Sequence, residues 1–261
     1  MKRRTRLTTA LAAATLVGLI WAGFGASPRD GQDTSFGALR PLPAPALKIG
    51  RPEALSSGRH FSRWTVVRHA TVAHVRPSAA SPAVADLAVW TAERTRNLLT
   101  VLRSRTGTDG KVWVEARPPV LPNGSLGWVR RDSLGPYQVV DTHLVVDRAR
   151  LRATLYQAGR RVFTAPIGIG AAAWPTPAGE FAVRSELTRY ASSFYGPVAF
   201  GTTARSAVLT DWPGGGVVGI HGTNEPNLIP GRVSHGCIRM RNRDILRLSR
   251  QMPVGTPVTI R

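Results

Sequence analysis

The 261-residue chain is long enough for one or two domains with a proper core, and its 43% hydrophobic against 19% charged residues excludes a disordered polypeptide. A net charge of +20 is carried almost wholly by arginine, with lysine only at positions 2, 48 and 111, so the surface either suits polyanions or reflects a compositional bias towards Arg. One cysteine in the whole chain excludes an internal disulfide.

The basic run "MKRRTR" precedes "LTTALAAATLVGLIWAGFGA" (7–26), which holds no charge. This reads as an export signal or, at 20 residues, as an uncleaved membrane anchor with its basic flank in the cytoplasm. No cysteine near its end offers a lipid attachment point. Export, together with the absence of zinc-finger spacing or RNP-type motifs, argues against a nucleic-acid partner. Residues 27–62 carry Pro28, Pro41, Pro43, Pro45 and Pro52 with Gly and Ser and little apolar period, so they read as a Pro-rich linker.

Short β-rich segments follow at 64–75, 83–91, 98–104, 111–120 and 126–134, separated by Pro, Gly and Asn. They predict a small antiparallel barrel over 63–135. "VWVEARPPVLPNGSLGWVRRDSL" (112–134) is similar to the bacterial SH3-like domains of exported cell-wall proteins, whose Gly-Trp-Val strand closes the barrel. The "NGS" at 123–125 fits a glycosylation sequon but is read as a turn.

Residues 138–261 form a second, mostly β unit. The alternation over 137–170 around "QAGR" predicts a hairpin, with further strands at 179–185, 196–202, 216–222, 236–240 and 256–261. One helix is predicted over 242–252, capped by Asn242, stopped by Pro253, and burying Ile245, Leu246, Leu248 and Met252. "WPGGGVVG" (212–219) lacks the Gly-Lys-Ser/Thr of a P-loop. The fold class is therefore mostly β with one or two helices.

The lone cysteine, Cys237, stands in "RVSHGCIRM" (232–240), after a glycine that lets a ligand approach the backbone. A thiolate is the reactive form, so a catalytic cysteine needs an imidazole or cation beside it, and His221 and His235 are the candidates. Three readings compete: a buried inert thiol, a zinc site of His221, His235 and Cys237, or a nucleophile with a histidine base. His235 lies two residues from Cys237, about 6–7 Å away along an extended strand. That distance favours His221, on a separate strand, as the base. His60, His69, His74 and His143 read as ordinary surface or strand residues. Trp174, Tyr190, Phe194, Tyr195 and Trp212 read as core residues or as the wall of a groove.

Four ordered motifs, "PTPAGEF" (175–181), "GIHGTN" (219–224), "SHGCIRM" (234–240) and "VGTPVTI" (254–260), resemble the YkuD-type L,D-transpeptidases, bacterial enzymes that remodel peptidoglycan. The resemblance spans about 138–261. It implies a β-sandwich-like catalytic fold with Cys237 as nucleophile, His221 as general base and the Gly222 carbonyl orienting the imidazole. Amides around His235, Gly236 and Cys237 would form the oxyanion hole, with Ser234 and His235 bracing the site. Arg239, where some relatives carry Asn, would shape the pocket or meet a substrate carboxylate. The resemblance further implies no cofactor or metal, peptidoglycan stem peptides as partners, acylation by carbapenem-type β-lactams, and an extracytoplasmic location. Anionic wall polymers or a membrane surface suit the basic charge, and nothing in the sequence sets an oligomeric state. A carboxypeptidase using water, a non-catalytic wall-binding protein and a sortase-like enzyme are the alternatives, although no sortase-like cysteine context is present.

Overall fold

The computed structural model describes residues 50–57, 60–188, 193–209 and 216–261. The segment read as signal or anchor and most of the linker lie outside the described residues. Among the described residues no helix is long and apolar enough to cross a membrane.

The first sheet contains β1 (Glu53–Ala54), β2 (Ser62–Val66), β3 (Thr71–His74), β4 (Ala83–Leu87), β5 (Leu98–Thr106), β6 (Val112–Arg117), β7 (Gly127–Arg130) and β8 (Gln138–Val140). It is ordered β4-β3-β7-β6-β5-β2-β8, with β1 on β5, and the pairings are antiparallel. Alternating strand residues such as Leu99 and Val101, Val114 and Ala116 turn inward onto one apolar core. Two residues of the stretch read as linker form β1. Gln138–Val140, read as the start of the second unit, instead extends the first sheet along β2. The alternation runs unbroken across Asp141, so nothing in the pattern marks the change of sheet.

The second sheet contains β9 (Thr142–Asp147), β10 (Arg152–Gln157), β11 (Arg160–Pro166), β12 (Gly168–Gly170), β13 (Gly179–Leu187), β14 (Ala199–Arg205), β15 (Val217–His221), β16 (Gly231–Ser234), β17 (Ile238–Arg239) and β18 (Pro257–Ile260). Its order is β11-β10-β9-β18-β13-β14-β15-β17-β12-β16, a mixed sheet. Strand β13 pairs with β18 on one side and β14 on the other, joining the halves of a curled half-barrel around one apolar core. The predicted hairpin is β10–β11, whose turn takes left-handed angles at Ala158 (φ 47°) and Gly159 (φ 79°). The fold class is mostly β, as read from the sequence: an antiparallel sheet, then a catalytic-type sheet with one α-helix among the described residues.

That helix, α1 (Asn242–Ser249), is shorter than predicted. Arg241 rather than Asn242 occupies the N-cap position, because the Asn242 side chain is used elsewhere. Ile245, Leu248 and Met252 are buried, but Leu246 is 38% exposed. One residue on from Ile245, it has rotated about 100° around the axis and off the buried stripe.

Candidate active site

Strands β15 and β17 are parallel neighbours, with Ile220 opposite Ile238 and His221 opposite Arg239. Residues two apart on a strand share a face, so Gly219 and His221 lie on the same face as Cys237 and Arg239. Gly219 adjoins both the Cys237 thiol and the His221 ring. A Cβ built on it would lie 3.8 Å from Cys237 Sγ and 3.8 Å from His221 Cδ2. The Gly219 N–H also donates to Cys237 Sγ at 3.3 Å. This glycine lets thiol and imidazole occupy one small volume.

The imidazole is held in one tautomer. Nδ1 lies 2.6 Å from the Gly222 carbonyl oxygen, which can only accept, so Nδ1 carries the proton and Nε2 keeps its lone pair. His221 is 2% exposed, and Tyr195 packs edge-on against its ring at 4.7 Å between centroids. Burial lowers the His221 pKa to about 4; the bond to Gly222 opposes this, and the charge of Arg239 adds to it. Burial likewise pushes the Cys237 thiol up, against the smaller pull of the Gly219 amide and Arg239. The resting pair is therefore neutral thiol and neutral imidazole.

An imidazole that titrates near 4 when folded and at 6.5 when unfolded binds its proton preferentially in the unfolded chain between those values. Its contribution to stability is complete above pH 6.5 and lost as pH falls to about 4, some 3 kcal/mol in all. Urea unfolding of the wild type and His221→Gln at pH 4 and pH 7 will show a larger loss in the wild type, since the half-buried His143, whose pKa is also lowered, contributes in both.

The "SHGC" segment is a turn, not the extended strand assumed for the His235–Cys237 spacing. Strand β16 ends at Ser234, Gly236 takes φ +109°, and β17 starts at Ile238. Ser234 Oγ donates to the Cys237 carbonyl at 2.5 Å and accepts the Gly236 N–H at 3.1 Å. Of the amides expected in an oxyanion hole, Gly236's is thus bonded to Ser234. His235 is exposed, with its ring 4.2 Å from that of Trp174. Arg239 is buried, donates to Glu225 Oε2 at 3.1 Å, and lies 4.6 Å over the Phe194 ring.

These residues open into a cavity of about 640 Å³, with Phe194, Tyr195, His221, His235, Cys237 and Arg239 on its wall. Of the aromatic residues weighed as a groove wall, Phe194 and Tyr195 line it, Trp174 backs His235, and Tyr190 and Trp212 lie outside the described residues. Among the described residues no three His, Cys, Asp or Glu groups come together as a metal site, so His221, His235 and Cys237 do not form the zinc cluster weighed above.

The catalytic-domain model of the YkuD L,D-transpeptidases matches residues 141–260. The L,D-transpeptidase YkuD of Bacillus licheniformis is 41% identical over 160 residues, covering 61% of this chain and 84% of that protein. Its Bacillus subtilis counterpart is 36% identical over 125 residues, covering 48% of this chain and 68% of that protein. The chain belongs to the YkuD L,D-transpeptidase family. These are cysteine-dependent enzymes that cross-link peptidoglycan, which implies an extracytoplasmic place of work. Among solved structures, the catalytic domain of an E. faecium L,D-transpeptidase is 26% identical with a TM-score of 0.36, over 46% of this chain and 97% of that one.

Two supports of this transpeptidase site escaped the motif reading. Thr176, within "PTPAGEF", accepts the Gly170 N–H at 2.9 Å and donates to the Gly236 carbonyl at 2.8 Å, pinning the turn before Cys237. Asn242 Oδ1 accepts the Thr223 N–H at 2.9 Å, holding the segment that follows His221. Thr176→Val keeps the shape but strands a buried donor and a buried acceptor. Thermal or urea unfolding will show a loss of about 2–4 kcal/mol, with slower acylation of Cys237 as its turn loosens.

Proposed function

We propose that this chain is an extracytoplasmic peptidoglycan L,D-transpeptidase that works through a Cys237 thioester. The observation that carries this reading is that Cys237 Sγ and the His221 ring both adjoin Gly219 and both line the cavity. His221 Nε2 takes the thiol proton as sulfur attacks the carbonyl that links an L-centre to a D-residue. The C–N bond breaks, and the imidazolium returns the proton to the departing D-amino acid. An amine on a neighbouring stem peptide then attacks the thioester, loses its proton to His221, and releases the thiol as a new amide forms.

Splitting amide exchange into two steps through a thioester conserves the bond where no nucleotide fuel is at hand. The low basicity of His221 and the raised thiol make proton transfer uphill in the resting site, so it is coupled to attack, as general-base catalysis requires. The Cys237 amide is the donor assigned to the developing oxyanion, and Ser234 braces its turn. Arg239 shapes the cavity wall; its bond to Glu225 offsets part of its charge.

The test is incubation of the purified chain with disaccharide-tetrapeptide, followed by mass spectrometry. A cross-linked dimer with release of the terminal D-residue is the expected product. Tripeptide alone would make water the acceptor and the enzyme a carboxypeptidase, and unchanged tetrapeptide would reduce the chain to a wall-binding protein.

A further inference from the structure

The rim of the cavity is built on the second sheet but is held from the first. Arg205 ends β14, and the rim follows directly. The Ser206 N–H donates to the Gly216 carbonyl at 2.7 Å, and Ser206 Oγ accepts the amides of Val208 at 3.3 Å and Leu209 at 3.1 Å. Ser206, Leu209 and Gly216 all line the cavity. The register between β14 and β15 slips between Gly201 and Arg205, so regular pairing is interrupted just before this rim.

Side chains of the first sheet's loops engage that point. Asn123, in the loop between β6 and β7, donates from Nδ2 to the Arg205 carbonyl at 2.6 Å and accepts the Arg205 N–H on Oδ1 at 3.0 Å. Its amide thus acts as a one-residue strand partner. This is the asparagine of the "NGS" turn. The Arg205 side chain donates from Nε to the Pro119 carbonyl of the same loop at 2.7 Å. Glu93, in the loop between β4 and β5, lies 3.0 Å from Nη2 of Arg184 and 3.6 Å from Nη1 of Arg205. Arg184 stands behind the cavity wall. Its side chain is 4% exposed, and its Nε would lie 3.5 Å from a Cβ on Gly201, which itself lines the cavity. Burial raises the Glu93 carboxyl, but the Thr91 hydroxyl and Arg184 outweigh it, so Glu93 faces the two guanidinium groups as an anion.

We propose that Asn123 and Glu93 are positioning residues for the catalytic cavity, through which the first sheet fixes the rim at Ser206 and Leu209 and so sets affinity for the peptide donor. The proposal rests on the transpeptidase reading for its ligand. It gives the N-terminal sheet a role in catalysis that needs no wall-binding site of its own. Neither residue touches His221, at the end of β15, or Cys237, in the turn before β17, so the signature is a change in donor binding without a change in thiol chemistry.

The experiment uses the full chain with Asn123→Ala, Asn123→Asp and Glu93→Gln. Each is made in the active protein and again with Cys237→Ala, where disaccharide-tetrapeptide binds without turnover. Losing the two bonds to Arg205 should weaken tetrapeptide binding about tenfold in Asn123→Ala and raise KM to match. Asn123→Asp keeps the acceptor but sets a carboxylate oxygen against the Arg205 carbonyl, so it should weaken binding at least as much. The rate constant kcat and iodoacetamide alkylation of Cys237 should stay within about twofold. Should Glu93→Gln fail to fold, Asn123→Ala decides alone. Unchanged affinity in a folded Asn123→Ala would overturn the proposal. So would alkylation and kcat falling in step with affinity, since that marks general loosening. A parent chain that binds tetrapeptide without turning it over would fail the transpeptidase reading, while the binding comparison would still decide the positioning role.

Discussion

Cys237→Ala will carry no acyl group. Incubated with disaccharide-tetrapeptide, it should form no cross-linked product, a loss of about 10⁴-fold or more in turnover, as expected for a nucleophile that no neighbour replaces. The same variant should show no mass shift with a carbapenem-type β-lactam, while the wild type gains one adduct at Cys237. Ring opening leaves the drug's amine tethered to the acyl group, so it cannot depart as a D-amino acid does and it blocks the acceptor. The fold should survive the change. Among the described residues the Cys237 side chain makes one hydrogen bond, the long contact with the Gly219 amide, and the turn around it is held by Ser234 and Thr176. Matching circular dichroism and unfolding midpoints will separate lost chemistry from lost structure. Product from Cys237→Ala, or an adduct on it, would move the nucleophile to another side chain.

What could be read from sequence divides along a physical line. Cys237 and His221 were legible because the residue types that do chemistry are few and their glycine-flanked settings are unusual. The β10–β11 hairpin was legible because "QAGR" concentrates turn chemistry between two alternating runs. Thr176 and Asn242 were not, because their hydroxyl and amide act across 60 and 19 residues of chain. A threonine in a Pro-rich turn and an asparagine before a helix each have a local use, capping or turning, that reads equally well. For Asn242 the use is not local: its Oδ1 accepts the Thr223 N–H. Arg184, Arg205 and Glu93 were hidden among many arginines and acids with nothing to mark which are buried. The boundary at Asp141 left no trace, since strand pairing and not pattern decides to which sheet Gln138–Val140 belongs. For His235 the assumption of an extended strand was wrong in detail: Gly236 bends the chain there.

The second large effect concerns which histidine is the base. His221→Ala should lower kcat/KM by about 10²–10⁴-fold, the range for loss of a placed proton acceptor. The pH dependence of Cys237 alkylation gives the sharper test. In the wild type His221 stays neutral down to about pH 4, and the thiol ionises above its ordinary range. Attack assisted by the imidazole should therefore run at a nearly constant rate from about pH 5 to pH 8 and fall as pH drops through about 4, where the imidazole takes up its own proton. Without His221 only the small thiolate fraction can react. Its population grows tenfold for each pH unit until the thiol titrates, so His221→Ala should replace the plateau with a line of unit slope. His235→Ala should keep the plateau, because the exposed His235 ring packs on Trp174 and the buried imidazole with an oriented lone pair belongs to His221. If His235→Ala gives the sloping line and His221→Ala the plateau, the two roles are exchanged, and the base reaches Cys237 from its own turn instead of from β15.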